Sequence, residues 1–315
     1  MVKYIAKRVV LLIIIIFFVS VASFFLVHLL PGNPAVTILG PNDTAQNAAI
    51  LNHQLGLDKP LIDQYFIWIG HVFQGNLGQS FTTHQTTVSI IKQSFPVDVE
   101  LIVISQLIAF LVAFPMAMTA SRRPNKLFDQ VANSTTFGML ALPPFVIAPV
   151  FVLLFAVQWH VFPGPASYVP ISQNFWSNLH TMLLPSIVLA MGSIVLYFRL
   201  LRNDLIATLQ EDFITMARSK GLSDRRIMWR HALRPSSVSF LASVGVTIGG
   251  LLAGTFVVEL LLQLPGLGFQ LISSTNQDDY TVVQGITLFV AVAIVLLNFL
   301  VDFIFTIVDP RIARD

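Results

Sequence analysis

Residues 218–235 read RSKGLSDRRIMWRHALRP, with six basic side chains and one acidic one in eighteen positions of a chain that is otherwise mostly apolar. Of the 315 residues, 55% are hydrophobic and 11% charged, where a soluble domain carries about 25% charged residues. The chain therefore has to be counted in membrane spans of about 20 apolar residues each. The basic stretch orients those spans, because loops on the cytoplasmic side of a membrane retain Lys and Arg.

Six apolar runs are long enough to be spans: Val9 to Leu30, Val97 to Ala120, Val131 to Val157, Leu179 to Leu200, Ser237 to Leu262 and Thr281 to Val308. With six spans, sixteen of the eighteen basic residues fall on one side, and only Lys59 and Lys92 on the other. A five- or seven-span count breaks this agreement. The expectation is an all-α integral membrane fold of six transmembrane helices with both termini cytoplasmic. Its parts are a tip and first helix over 1–30, an external helical segment over 31–96, a five-helix core over 97–308 and a tail over 309–315. The first run is longer than a signal-peptide core and leads into LLPGNPA without a small-x-small site, so it reads as an uncleaved span.

The external segment has its own pattern. Asn42 or Asp43 can cap a short helix ending near Leu55, and Pro60 suits the first turn of another with Ile62, Phe66 and Ile69 on one face. Its aromatics Tyr65, Phe66, Trp68 and Phe73 suit a membrane interface or a lid over the bundle mouth.

Within the spans, Pro143 and Pro144 interrupt the third, with Pro149 behind them, while Pro115 and Pro185 sit inside the second and fourth. Each removes a backbone donor, and in lipid the freed carbonyls need neighbours or a water-lined cavity. Such breaks suit either packing or a transport path. GVTIGGLLAG in the fifth span places Gly245 and Gly249, and likewise Gly250 and Gly254, four apart, a spacing that lets helix backbones approach closely. Glu259, at the outer end of the fifth span and close enough to the interface to be hydrated, and Asp302, within the sixth, are ionisable groups near apolar surroundings, and so candidates for a role in a pore or proton path.

Much chemistry is excluded. The absence of cysteine removes disulfides, thiolate metal sites and a thiol nucleophile. No GxxxxGK[ST] loop is present to cradle nucleotide phosphates, so ATP, if used, is handled by another polypeptide. The seven histidines form no HExxH pair, and there is no GxSxG. The sequence argues against an enzyme and against a metal site, and a net charge of +2 is too small to argue for nucleic acid.

The loop 202–235 reads as two short helices with a break. In LQEDFITMARSK, residues 209–220, Leu209, Phe213, Met216, Ala217 and Lys220 share a face, and Glu211 and Asp212 sit where the helix dipole favours them. Gly221 follows as a C-terminal cap, Ser223 caps the second helix, and Ile227, Met228 and His231 share its face. A topological signal needs charge but neither caps nor an apolar face, and a nucleic-acid grip lacks a stacking platform. A docking element for a soluble partner explains more of these residues. Its centre would be Ala217, Gly221 and Leu222, with Phe213 and Met216 as knuckles and Arg225, Arg226 and Arg230 as the rim.

This loop resembles the cytoplasmic "EAA" loop of ABC-importer permeases, aligned on Gly221. Only Ala217, Gly221 and Leu233 match the general pattern, but ARSKGLSDRRIMWRHALRP is similar to the form found in the dipeptide and oligopeptide permease branch. KYIAKR with HLLPGNPA, GLDKPLIDQYFIWIGHVFQGNLGQSF, VVELLLQLPGLGFQL and VDFIFTIVDPRIAR resemble that branch too, particularly its first permease subunit. Pro235 departs from the Asn usual there. The resemblance implies a type I importer permease in a bacterial cytoplasmic membrane, paired with a second, homologous permease. Two ATPase subunits or domains would bind ATP and Mg, and an extracytoplasmic binding protein would deliver substrate. This chain itself would hold no cofactor. The rival expectation is a self-sufficient channel or proton-coupled carrier using Glu259 or Asp302.

Overall fold

The computed structural model describes residues 2–28, 39, 44, 46–47, 52–53 and 58–308. Among these the regular structure is helical, with one isolated bridge between Gln79 and Thr86. The helices are α1 (Val2–His28), α2 (Leu61–Phe73), α3 (Thr87–Arg122), α4 (Leu127–Ala141), α5 (Pro144–Gln158), α6 (Phe175–Leu209), α7 (Asp212–Ser219), α8 (Asp224–Leu262), α9 (Leu267–Asn276) and α10 (Tyr280–Val308). Most of the short helix expected to end near Leu55, the tail 309–315 and the Asp302 side chain lie outside the described residues.

By length and composition α3, α6, α8 and the part of α10 from Tyr280 to Val301 can each cross a membrane. Of α1, the stretch Val9–Phe25 is apolar. The third apolar run is not one rod: α4 and α5 meet at a bend of 100°. The cause is Pro143–Pro144, because the residue before a proline is steered out of the helical region. Leu142 and Pro143 are both extended, and Pro144 opens α5, where its missing N–H costs nothing.

Helices also begin before the apolar runs do. α3 starts at Thr87, ahead of the boundary expected at 96/97, and passes through Pro96; α8 starts at Asp224, ahead of Ser237. Hydropathy marks only the lipid-facing part of a helix, whereas hydrogen bonding continues into its polar ends.

The chain forms two compact units, residues 1–98 with 265–315, and 99–264. In the first, α1 packs on α10, and α9 on α10. α2 lays Tyr65 and Trp68 on Phe24 of α1, with Tyr65 Oη 2.8 Å from Ser20 Oγ. α2 packs through Tyr65 and Trp68, while Ile62 and Phe66 point outward. Gly285 of α10 sits so close to the start of α3 that a β-carbon there would come 2.5 Å from Thr87 Cγ2. Ser80 donates to the Asp279 carboxylate (2.5 Å), tying the loop before α3 to the start of α10. Asp98, fully buried, accepts the Leu267 N–H (2.9 Å) and so caps α9 from 169 residues away.

In the second unit α6 and α8 form the most extensive helix pair, with α4 and α5 on α6 and α5 on α8. Its core runs from Ala109, Ala113 and Ala117 of α3 through Tyr197, Phe198, Leu201 and Leu205 of α6 to Ile214, Ile227, Met228 and Phe240.

The cap on α9 is testable. Asp98→Ala leaves a buried N–H without that acceptor, a loss of about 1–3 kcal/mol, and should lower the thermal midpoint of the purified permease complex. Asp98→Asn keeps a carbonyl acceptor and should lose less; equal losses would show that the cap is not the reason.

Candidate functional site

The loop 202–235 is built on the core rather than hung from it. α7 is only eight residues long, too short to be stable alone. It is held by burying Ile214 and Ala217 in the cluster that contains Leu201, Leu205, Ile227, Met228 and Ala232. Its C-terminus is closed by two bonds, Gly221 N–H to Arg218 O (2.9 Å) and Leu222 N–H to Ala217 O (3.3 Å). That paired arrangement needs a left-handed residue, which Gly221 supplies at φ +77°. The expected glycine cap is present, and Leu222 closes it with its side chain half-buried against the cluster.

Ser223 takes the extended conformation of a helix N-cap and its carbonyl accepts from Ile227 N–H (3.0 Å), but its hydroxyl makes no capping bond. The second short helix is not separate. From Asp224 the chain runs through a π-helical turn, Ile227–Ala232, straight into the long part of α8. The wide turn precedes Pro235, whose missing N–H would otherwise leave a gap in an α-helical ladder.

The predicted loop residues divide by exposure. Phe213 (44%) and Met216 (58%) are open on the outer face of α7, whereas Ala217 (6%) faces the chain's own core. Arg225, Arg226 and Arg230 are exposed and line a shallow concavity with Ser223 and Trp229. His231 is half-buried within the π-helical turn.

Sequence reasoning missed the group that anchors this region. Asp129, in the first turn of α4 and 2% exposed, receives Arg202 Nε and a terminal guanidinium nitrogen of α6, each at 2.5 Å. It also accepts the Asn125 N–H (2.8 Å) and Asn133 Nδ2 (2.9 Å). All its lone-pair directions are used, which is what makes a buried carboxylate tolerable. Arg199, one turn before Arg202, lies 4.7 Å above the Phe137 ring and adds a second tie between α6 and α4. An Asp two residues ahead of an apolar run was the available signal.

A second polar group sits inside the bundle. Tyr197 Oη donates to Gln106 Oε1, and Gln106 Nε2 donates to Ser193 Oγ (3.1 Å), joining α3 to α6. Near the other end of α3, Tyr168 in the loop after α5 donates to Glu100 Oε2 (3.1 Å). Burial, and then the Glu100 charge, push the Tyr168 phenol up from its usual range, so it stays a neutral donor.

The remaining candidates are spread out. Pro143 and Pro144 form the α4–α5 bend; Gly245 and Gly249 are buried within the bundle; Gly254 is in ordinary contact distance of Leu189; and Gly250 faces open space. Glu259 is not hydrated at an interface as expected but fully buried; its backbone carbonyl accepts the Leu264 N–H (2.9 Å) that closes α8.

Two family descriptions cover nearly the whole chain: "Binding-protein-dependent transport system inner membrane component" over residues 107–314, and the N-terminal part of the same systems' membrane component over 1–102. The chain belongs to this family, the permease subunits of ABC importers, and is a multi-pass membrane transport component rather than an enzyme. Its relatives include the dipeptide transport system permease protein DppB of Lactococcus lactis subsp. cremoris, 33% identical over 99% of both chains. The di/tripeptide permease DppB of Pseudomonas aeruginosa is 32% identical and the oligopeptide permease AppB of Bacillus subtilis 29%, again over 99% of both chains.

The Asp129–Arg202 pair gives a stability test. Arg202→Met strands a buried carboxylate and should destabilise the complex by roughly 3 kcal/mol, read from denaturant or thermal unfolding. Adding Asp129→Leu should restore much of that loss; additive losses would show that the two residues do not act as a pair.

Proposed function

We propose that the chain is one of two homologous permease subunits forming the path for di- or oligopeptides across a bacterial cytoplasmic membrane. The names of its full-length relatives support the substrate class. The clustering of Lys and Arg supports six spans, with α1 as the first and the α4–α5 pair as the third, and with both termini cytoplasmic. Two ATPase subunits bind ATP and Mg, and an extracytoplasmic binding protein presents the peptide to the side carrying α2.

The observation that carries this reading is the two-faced character of α7. Phe213 and Met216 are apolar and open, while Ile214 and Ala217 on the other face are locked into the core. A short helix with an exposed knuckle and a basic rim at Arg225, Arg226 and Arg230 fits a groove on a soluble motor. Ala217, Gly221 and Leu222 then hold the knuckle in position instead of touching the motor. When ATP draws the ATPases together, the displacement of α7 passes through the buried face to α6 and α8, and the path alternates between its two openings.

Single cysteines can be read cleanly in a chain that has none of its own. Cysteines at Phe213 and Met216 should cross-link to the co-expressed ATPase, while one at Val246, exposed in mid-span, should not. Phe213→Asp with Met216→Asp should reduce ATP-dependent peptide uptake at least tenfold with the permease pair still assembled. Undiminished uptake from a chain lacking residues 211–231 would overturn the proposal.

A further inference from the structure

Beside the knuckle lies a second feature that shares only Arg225 with the rim assigned to motor docking. A cleft of about 650 Å³ is lined by Arg122 and Arg123 at the α3–α4 turn, Arg218 in the last turn of α7, Asp224 and Arg225 at the start of α8, and Trp229. Three separate stretches of chain thus bring four guanidinium groups to one concavity. Among the described residues none of these arginines is in an ion pair. A topological signal would be met by the same charges dispersed over a convex surface. Asp224 offsets one of the four charges, and convergence of the remaining like charges is unfavourable unless a further anion occupies the space. Planar guanidinium forks match phosphate oxygens in particular.

The surroundings say what carries the phosphate. Arg122 is the last residue of α3, so the cleft opens where a spanning helix leaves the apolar layer. Trp229, half-exposed in the cleft, has its ring 6.0 Å from that of Phe114, two turns deeper on α3, roughly 12 Å toward the middle of the bilayer. Tryptophan favours this boundary level. Leu127 (77% exposed) and Phe128 (50%) open α4 beside the turn and face outward. A charged floor, an aromatic wall and an apolar flank match a molecule with an anionic head and acyl tails.

We infer that this cleft binds the phosphate headgroup of an anionic phospholipid of the cytoplasmic leaflet. The inference rests on the orientation proposed above. Basic concavities between helices at that surface draw anionic lipids. Since Arg218 and Arg225 flank the knuckle helix while Arg122 and Arg123 end a span, a bound headgroup bridges the motor-facing loop to the membrane surface.

The test uses the complete importer, both permeases with their ATPases, stripped of lipid in detergent and titrated with phosphatidylglycerol or phosphatidylcholine under native mass spectrometry. At least tenfold preferential retention of phosphatidylglycerol is expected. Arg122→Gln, Arg123→Gln and Arg218→Gln together should reduce that retention tenfold or more, with unchanged gel-filtration profile. Should this variant misfold, the wild-type comparison decides alone: equal retention of the two lipids overturns the inference. Competition by millimolar inorganic phosphate as strong as that by the lipid would overturn it in favour of a soluble anion. Cross-linking of an Arg123→Cys chain to the ATPase instead of protection by phosphatidylglycerol would assign the cleft to the motor. Accessibility of a Lys126→Cys chain to impermeant label in sealed vesicles of known sidedness reads the orientation separately. Labelling from the external side with lipid preference intact would reject the orientation and the assignment to the cytoplasmic leaflet.

Discussion

The burial of Ile214, Ala217, Ile227 and Met228 among the side chains of α6 is the interaction on which the rest of the second unit depends. Each fully buried large side chain contributes about 1.5–3 kcal/mol, enough in sum to hold an eight-residue helix that has no stability of its own. Because interiors are close-packed, a load applied to Phe213 or Met216 cannot be absorbed by rearranging α7 alone. It is passed to Leu201 and Leu205, and from α6 through Arg202 to Asp129 at the head of α4. The same α4 leads into the proline bend and α5. Motor-facing and bend-bearing segments are thereby parts of one packed body.

The all-helical class and the helices bearing the apolar runs were legible in the sequence because hydrophobic length and charge asymmetry are properties of the chain itself. The Gly221 cap was legible for the same reason: only a residue free at positive φ fits there. What escaped was set by partners distant in sequence. Asp129 and Arg202 are 73 positions apart, and neither announces the other. Ala217 was read as part of an outward face, yet on so short a helix a shift of one residue turns a position by about 100°, enough to exchange inside for outside. Glu259 was placed at a hydrated edge because it lies near the end of the fifth span, whereas Leu262 and Leu264 remain buried beyond it. Which side of α2 packs was not legible either: the sequence left interface or packing open for Tyr65 and Trp68, and their contacts with Phe24 decide it.

In the first unit, long-range polar contacts work beside buried apolar side chains such as Phe24, Leu267, Ile286 and Leu288. Asp98 caps α9, Ser80 and Thr82 meet the Asp279 carboxylate, and Ser23 reaches the Gln284 carbonyl. Hydrogen bonds are directional, so these contacts fix register where apolar packing alone would tolerate sliding. The tight approach of Gly285 to Thr87 serves the same end by excluding any larger residue from the place where α10 passes the start of α3.

The wide turn from Ile227 to Ala232 bears on how one helix can serve two environments. An uninterrupted α-helix from Asp224 to Leu262 would carry a single set of faces along its whole length. One additional residue in the turn resets the angular phase by about 100°, so the stripe that is arginine-rich below the turn is out of step with the stripe that meets α6 above it. The polar end and the membrane-embedded end are therefore separately tunable in sequence while remaining mechanically a single shaft.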